Sequence, residues 1–346
     1  MSVTSKSSAQ IIATLQRHIS DTVPLAAEDK DYCLLDFPDY SNVGDSLIWL
    51  GAAKFLADKY GAPPRYSCTI HNFDPVALRR QAPKGPIYLS GGGNFGDLWP
   101  KFQNFRLAVL RAFPDRHIIQ LPQTIHFADP ANARSTREAI RNHGNFTLLV
   151  RDKPSFDFAH AHLDLPAVTA PDMAFWLGRL PSRVPPAYDL ALMLRTDKER
   201  NERAGIARPP QGLRVNAFDW IEGGNPTFLM RLLVRGERQF GIPSRQTIYK
   251  MKANMQLNRG LDLLGSGRML VTDRLHGHIL ATLMDIPHVL LDNSYGKLKN
   301  FHALWTAGSQ SIHLATTLDE AFHWIEANGQ TSGSRSLDTA YPAAAS

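Results

Sequence analysis

The stretch Met269-Leu-Val-Thr-Asp-Arg-Leu-His-Gly-His-Ile-Leu-Ala-Thr-Leu-Met-Asp-Ile-Pro-His-Val-Leu-Leu-Asp292 decides the fold class. A short apolar run over 269–272 is followed by a helical pattern over 274–284 and a second apolar run over 288–291. Both runs are continuous rather than alternating, as expected of strands covered on both faces. Strand, helix and strand at this spacing make a βαβ unit, hence a parallel pair. Read outward, the same alternation fills the chain. Strands are predicted over 32–37, 86–90, 117–121, 146–150, 167–169, 189–194 and 213–218 as well. Further helices are predicted over 8–20, 45–60, 102–113, 132–142, 153–161, 227–234, 252–264 and 318–327. The fold class is α/β.

The 346 residues predict about two domains. The Pro-rich segment 181–187 divides the strands into two blocks. We read an N-terminal α/β domain over 1–183, a C-terminal α/β domain over 184–330, and a disordered Ser/Gly/Ala-rich tail over 331–346. The segments 195–214 and 236–252 read as long polar connections, the first a candidate flap over an anion. Hydrophobic residues make up 43% and charged residues 20%, a globular balance. The net charge of +6 suits an anionic ligand or an acidic surface but does not argue nucleic acid. Two cysteines, Cys33 and Cys68, exclude a disulfide framework and a Cys-rich metal centre. No export signal and no membrane-spanning run are seen, so a cytoplasmic protein is expected. The helix over 8–20 leaves peripheral contact with the inner face of a membrane open.

Chemistry-bearing residues fall just after strands, where open α/β sheets bind ligands. Ser41-Asn-Val-Gly-Asp-Ser46 opens a helix and offers Asn42 and Asp45. Ser90-Gly-Gly-Gly-Asn-Phe-Gly-Asp97 is neither a dinucleotide fingerprint nor a P-loop. Its run of glycines implies backbone approaching a ligand, with Gly92, Gly93, Asn94 and Asp97 at hand. Leu121-Pro-Gln-Thr-Ile-His126 adds Gln123, a hydrogen-bonding group for a sugar or phosphate. In Val150-Arg-Asp-Lys-Pro-Ser155 an ion pair between Arg151 and Asp152 is expected. Val271-Thr-Asp-Arg-Leu-His-Gly-His278 puts a guanidinium and an imidazole together at a helix start, a pairing suited to carboxylate and phosphate. His276 and His278 point apart at helical spacing, so they are not expected to share a metal. Ser294 and Lys297 follow the last strong strand.

The ordered set Asn42-Val-Gly-Asp45, Gly91-Gly-Gly-Asn-Phe-Gly-Asp97, Leu121-Pro-Gln123, Val150-Arg-Asp152 and Asp273-Arg-Leu-His-Gly-His278 resembles the polysaccharide pyruvyl transferase family. The resemblance runs from about residue 32 to about residue 300. It implies two Rossmann-like domains facing each other across a cleft, as in the glycosyltransferase-B architecture. It also implies transfer of pyruvate from phosphoenolpyruvate to a sugar diol of a bacterial exopolysaccharide or cell-surface glycan. The product is a ketal, phosphate is released, and the acceptor can be a lipid-linked oligosaccharide. Donor binding carries over to Arg274, Leu275 and His276, with Arg195 matched to a second donor arginine and Lys297 added on charge grounds. His276 is the expected general acid or base, and Asp45 the expected base for the acceptor hydroxyl. Asn94, Asp97 and Gln123 are expected to touch the acceptor from the N-terminal side. No step of this chemistry calls for a metal or a redox cofactor.

Two rivals stand beside this reading. A nucleotide-sugar glycosyltransferase of the same architecture would use the C-terminal crevice for a diphosphate, with Glu222 available for a ribose. A glycan-binding scaffold without catalysis would not need the Arg274 and His276 pair.

Overall fold

Strands that are apolar along their whole length pair in parallel and are covered on both faces. A computed structural model describes residues 5–25, 31–196, 208–221, 228–240, 242–292 and 296–329. Two parallel sheets form among them. The first contains β1 (Cys33–Leu35), β2 (Tyr66–Cys68), β3 (Ile87–Leu89), β4 (Gly92–Gly96), β5 (Ile118–His126), β6 (Phe146–Val150) and β7 (Ala167–Thr169). Its order is β2-β1-β3-β5-β6-β7, and β4 pairs with the second half of β5. The second contains β8 (Tyr188–Met193), β9 (Val215–Phe218), β10 (Gly267–Thr272), β11 (His288–Leu291) and β12 (Ile312–Ala315), in the order β12-β11-β10-β8-β9. Each sheet reverses its winding once. The first reverses between β1 and β3, the second between β8 and β10. Such switch points leave a crevice beyond the carboxyl ends of the flanking strands.

The helices are α1 (Ser8–Thr22), α2 (Val43–Tyr60), α3 (Pro75–Gln81), α4 (Pro100–Ala112), α5 (Pro130–His143), α6 (Lys153–Phe158), α7 (Phe228–Phe240), α8 (Arg245–Gly265), α9 (Leu275–Met284), α10 (Lys297–Phe301) and α11 (Leu318–Gly329). Their starts follow capping chemistry. Asn42, Asp74, Asp129 and Asp152 each accept backbone N–H bonds at a first turn.

Three strands were not expected. β2 is only three residues long with a serine at its centre, and β12 alternates apolar and polar residues. β4 is the third: the glycine run, read as a loop, is a strand laid against β5. A side chain at Gly91 would meet the Pro122 carbonyl oxygen at 2.6 Å, so the glycine allows this close approach. The segment 236–252, read as a polar connection, is mostly the end of α7 and the start of α8. Its polar residues hid a helical stripe, since Ile248, Tyr249, Ala253, Leu257 and Leu261 are all buried on α8.

The two sheets share one apolar core. It joins Phe37, Val43, Trp49 and Phe55 with Ile248, Tyr249, Leu257, Leu270 and Ile279. Tyr249 of α8 stacks on Phe37, with ring centroids 4.1 Å apart. The apolar face of α1 (Ile11, Ile12, Leu15, Ile19) is buried in this same core. That face is therefore not free to enter a membrane surface, which narrows the peripheral contact left open for the helix over 8–20. No helix among the described residues is long and apolar enough to cross a membrane. The segments 197–207 and 330–346, which hold most of the flap and the tail, lie outside the described residues.

Candidate functional site

The crevices of both switch points open into one cavity of about 340 Å³. The first sheet contributes Tyr40, Asn42 and Asp45 after β1, Gly93 and Asn94 of β4, and Arg151 after β6. The second contributes Arg195 after β8, Trp220 and Ile221 after β9, Arg274, Leu275 and His276 after β10, and Lys297 after β11. Trp99, Lys101 and Phe102 complete the rim.

Each side chain is held by local structure. Asn42 caps α2: its Oδ1 accepts the Gly44 N–H at 2.9 Å and its Nδ2 donates to Asp45 at 2.7 Å. The Tyr40 hydroxyl donates to the same Asp45 oxygen at 2.9 Å. Asp45 is thus a fixed carboxylate at the cavity wall. Arg106 of α4, almost fully buried, braces the glycine strand from behind. It donates to Gln120 at 2.6 Å, Gln103 at 2.7 Å and Asn94 at 3.1 Å. Burial beside it pushes the Asp36 carboxyl up to about 7, and burial brings Arg106 down to about 10.

On the other side, the Arg274 guanidinium donates to Asp219 at 2.6 Å. The Arg195 backbone N–H donates to Asp273 at 2.9 Å. Burial pushes the Asp273 carboxyl up to about 6 against the pull of Arg195 and Arg274. His276 Nε2 lies 3.4 Å from Asp172 Oδ2, and the same oxygen accepts from Arg151 Nη1 at 2.5 Å. Asp172 has no exposed side-chain surface. Burial alone would raise its carboxyl, but His276 and Arg151 hold it well below the usual carboxylate range. The His276 ring rests on the first turn of α2. A Cβ on Gly44 would lie 2.6 Å from its Nδ1, so only glycine leaves room for the imidazole. The first sheet thus sets the histidine that the second sheet carries.

Most predicted residues meet in the cavity: Asn42, Asp45, Gly93, Asn94, Arg195, Arg274, Leu275, His276 and Lys297. Gly92 sits just behind, with Asp45 Oδ1 3.8 Å from where its Cβ would be. Asp97 and Gln123 do not line the cavity. Asp97 accepts from the backbone N–H groups of Ala128 and Asp129, both at 2.8 Å, and braces that turn. Gln123 is fully buried; its Nε2 donates to Asn94 at 2.9 Å and its Oε1 accepts the Asn94 N–H at 3.2 Å. Gln123 thus fixes Asn94 of the glycine strand, and Asp97 fixes the turn after β5. Ser294 and Glu222 lie outside the described residues. Arg151 pairs with Asp172, not with Asp152, which caps α6 through Ser155 and accepts from Thr124 at 2.6 Å. His278 points away from His276, into the second unit, where it bonds to His288 at 2.7 Å.

The sequence reading missed Asp172, Asp219, Arg106, Trp99 and Tyr40. Asp172 had a usable signal, since it follows β7 as Asp45 and Arg274 follow their strands. Asp219, just after β9, has the same position.

The sequence model of polysaccharide pyruvyl transferases matches residues 42–295. EpsO of Bacillus subtilis, which carries a pyruvyl transferase name, is 28% identical over 308 residues, 87% of this chain and 93% of that one. Pyruvyl transferase 1 of Schizosaccharomyces pombe is 29% identical over 311 residues, 84% of this chain and 73% of that one. A crystal structure of a functionally uncharacterised protein of Klebsiella pneumoniae shares the fold, with a TM-score of 0.50 at 17% identity, covering 88% of this chain and 96% of that one.

Proposed function

The chain belongs to the polysaccharide pyruvyl transferase family and is an enzyme of that type, and we propose that it moves pyruvate from phosphoenolpyruvate to two hydroxyls of one sugar in a cell-surface glycan. The observation that carries the donor is the cation set of the cavity. Arg151, Arg195, Arg274 and Lys297 line the cavity with His276, and Lys101 stands at the rim, five positive groups around a space the size of a small anion and one sugar. Phosphoenolpyruvate brings a carboxylate and a phosphate to such a site. The two sheet units then act as glycosyltransferase-B-like halves, with the donor on the second unit and the acceptor on the first.

The chemistry proceeds in two additions at C2 of the donor. One sugar hydroxyl gives its proton to a base and bonds to C2, while a proton goes to the methylene carbon, which becomes the methyl group. The second hydroxyl then forms a bond to C2, the C2–O bond to phosphate breaks, and the hydroxyl proton leaves with phosphate or a base. His276, held by Asp172, is the group for the proton delivered at the donor. Asp45, held by Asn42 and Tyr40, is the base for the acceptor hydroxyl. Arg274 and Arg195 stabilise the leaving phosphate.

Thermal melting with millimolar phosphoenolpyruvate tests the donor. A ligand bound only by the folded state at 100 times its Kd adds about 2.7 kcal/mol, a rise of a few degrees. The rise is expected in wild type and lost in Arg274→Ala. A rise with nucleotide sugars and none with phosphoenolpyruvate would refute the donor assignment.

A further inference from the structure

Besides the cations the cavity has a second set of lining groups, aromatic and hydrogen-bonding, that has so far been given no ligand. Three aromatic residues line the cavity from the first unit. Trp99 precedes α4, Phe102 lies in its first turn, and Tyr40 follows β1. Trp99 is 48% exposed and Tyr40 42% exposed, unusual for large rings in a chain whose other aromatics are mostly buried. Exposed aromatics gathered at the mouth of a polar cavity mark a binding surface. Tyr40 is not a loose side chain. Its ring meets Phe102 edge-on at 6.2 Å and its hydroxyl is fixed on Asp45. Little conformational freedom remains to be lost when a ligand lies on it.

The polar groups among these rings select the ligand. Lys101 lies 5.0 Å over the Phe102 ring and Asp45 stands as a carboxylate among the same groups, so the charge beside the rings is mixed rather than cationic. Asp45, Asn42 and the Tyr40 hydroxyl accept from and donate to hydroxyl groups. A ligand with one apolar face and a rim of hydroxyls fits both features, and a pyranose ring is such a ligand. A nucleobase also stacks on aromatic faces, but it lacks the rim of hydroxyls that Asp45, Asn42 and the Tyr40 hydroxyl would meet.

We propose that Trp99 and Tyr40 form a stacking shelf for a pyranose of the acceptor glycan, holding its hydroxyls at Asp45. This rests on the transferase reading for the identity of the second substrate but not on phosphoenolpyruvate as the donor. The shelf replaces Asp97 and Gln123, which are committed to the turn after β5 and to Asn94, as the acceptor contact.

The test is binding of full-length protein to an array of bacterial surface oligosaccharides, for wild type, Trp99→Ala and Trp99→Phe. Wild type is expected to bind a subset of the glycans. Trp99→Ala is expected to lose about tenfold or more in affinity for them, and Trp99→Phe to keep most of it. The melting shift with phosphoenolpyruvate serves as the control and is expected to be the same in all three, since the cations beside His276 are carried by other elements, after β6, β8, β10 and β11. Equal glycan binding by Trp99→Ala, or no glycan bound by wild type, overturns the shelf. So does a nucleotide that competes with the glycan and loses its own binding in Trp99→Ala. If glycan binding depends on Trp99 while phosphoenolpyruvate gives no shift, the donor assignment fails and the shelf stands.

Discussion

Asp172 shows how much one residue can couple. Its Oδ2 faces both Arg151 and His276, so a single buried oxygen joins the two units at the proposed site of proton transfer. Asp172→Asn keeps the shape and removes the charge. Loss of one partner from a buried pair costs about 3–5 kcal/mol, so the melting temperature should fall. Turnover of the folded protein should fall about 10²-fold or more, the scale of a mispositioned acid or base. Phosphate release measured for Asp172→Asn, His276→Ala and the double variant separates the two effects. If Asp172 acts through His276, the double variant is no slower than His276→Ala. Additive losses would contradict that. Gly44 makes the complementary point from the other side of the ring. Gly44→Ala places a methyl within 3 Å of the imidazole, so the ring or the start of α2 must shift. The expected cost in stability is about 1–3 kcal/mol, and the loss of turnover should exceed what the fraction unfolded explains. Full activity in a destabilised Gly44→Ala would show that the ring position is not needed.

At the scale of elements, what was legible follows from what each element has to bury. Strands such as β6 and β11 are continuous apolar runs because both faces are covered, and sequence alone marks them. β4 was hidden because its glycines carry no strand signal; its pairing depends on β5 lying close enough to exclude side chains. The ligand-facing turns after β1 and β10 were legible because polar residues follow apolar runs there. Arg106 was not, because a buried arginine on α4 looks in sequence like an exposed one. Gln123 had the right chemistry for an acceptor but is buried behind Asn94, and Asp97 is tied to the turn after β5, differences that only packing decides. The histidines of α9 and β11 give a further case. His288 Nδ1 faces the Ile286 carbonyl, so it must donate there and leave Nε2 to accept from His278. His278 Nε2 then accepts from the Thr306 hydroxyl. This order requires neutral rings, and burial pulls His288 down to about 4. Its stabilising contribution is present above the unfolded value near 6.5 and is lost as pH falls toward 4. His288→Gln lacks this titration. Its stability deficit against wild type should therefore narrow by up to roughly 3 kcal/mol between pH 7.5 and pH 4.5. Urea denaturation of both proteins across that range checks it, and a constant gap would mean His288 does not titrate as described.

At the scale of the molecule, the two sheets read as two domains in sequence, and each buries a core of its own, but a third core is shared between them. α8 belongs to the second unit by chain order, yet Tyr249 stacks on Phe37 and donates to Asn72 of the first at 3.4 Å. Lys252 pairs with Asp39, and Arg259 reaches Ser41 at 3.0 Å, both next to the cavity. A side chain at Gly260 would lie 2.5 Å from Val43, so α8 and α2 pack with no room between them. α1 adds a third connection, since its apolar residues lie in the same core as residues of both units. Separating the units would expose this shared apolar surface, which costs roughly 25 cal/mol for each Å² uncovered. Neither unit is then expected to unfold while the other persists. Calorimetry should give one transition, with a calorimetric enthalpy equal to the van't Hoff enthalpy. Two resolved transitions, or far-ultraviolet and tryptophan signals with different midpoints, would show that the units are independent after all. The same packing bears on the site, because His276 of the second unit rests against Asp172 and Gly44 of the first. A variant that loosens the interface far from the cavity, such as Tyr249→Ala, should lower the single melting temperature. It should also weaken the melting shift with phosphoenolpyruvate, although Tyr249 does not line the cavity. An unchanged shift would mean that the donor end is assembled by the second unit alone.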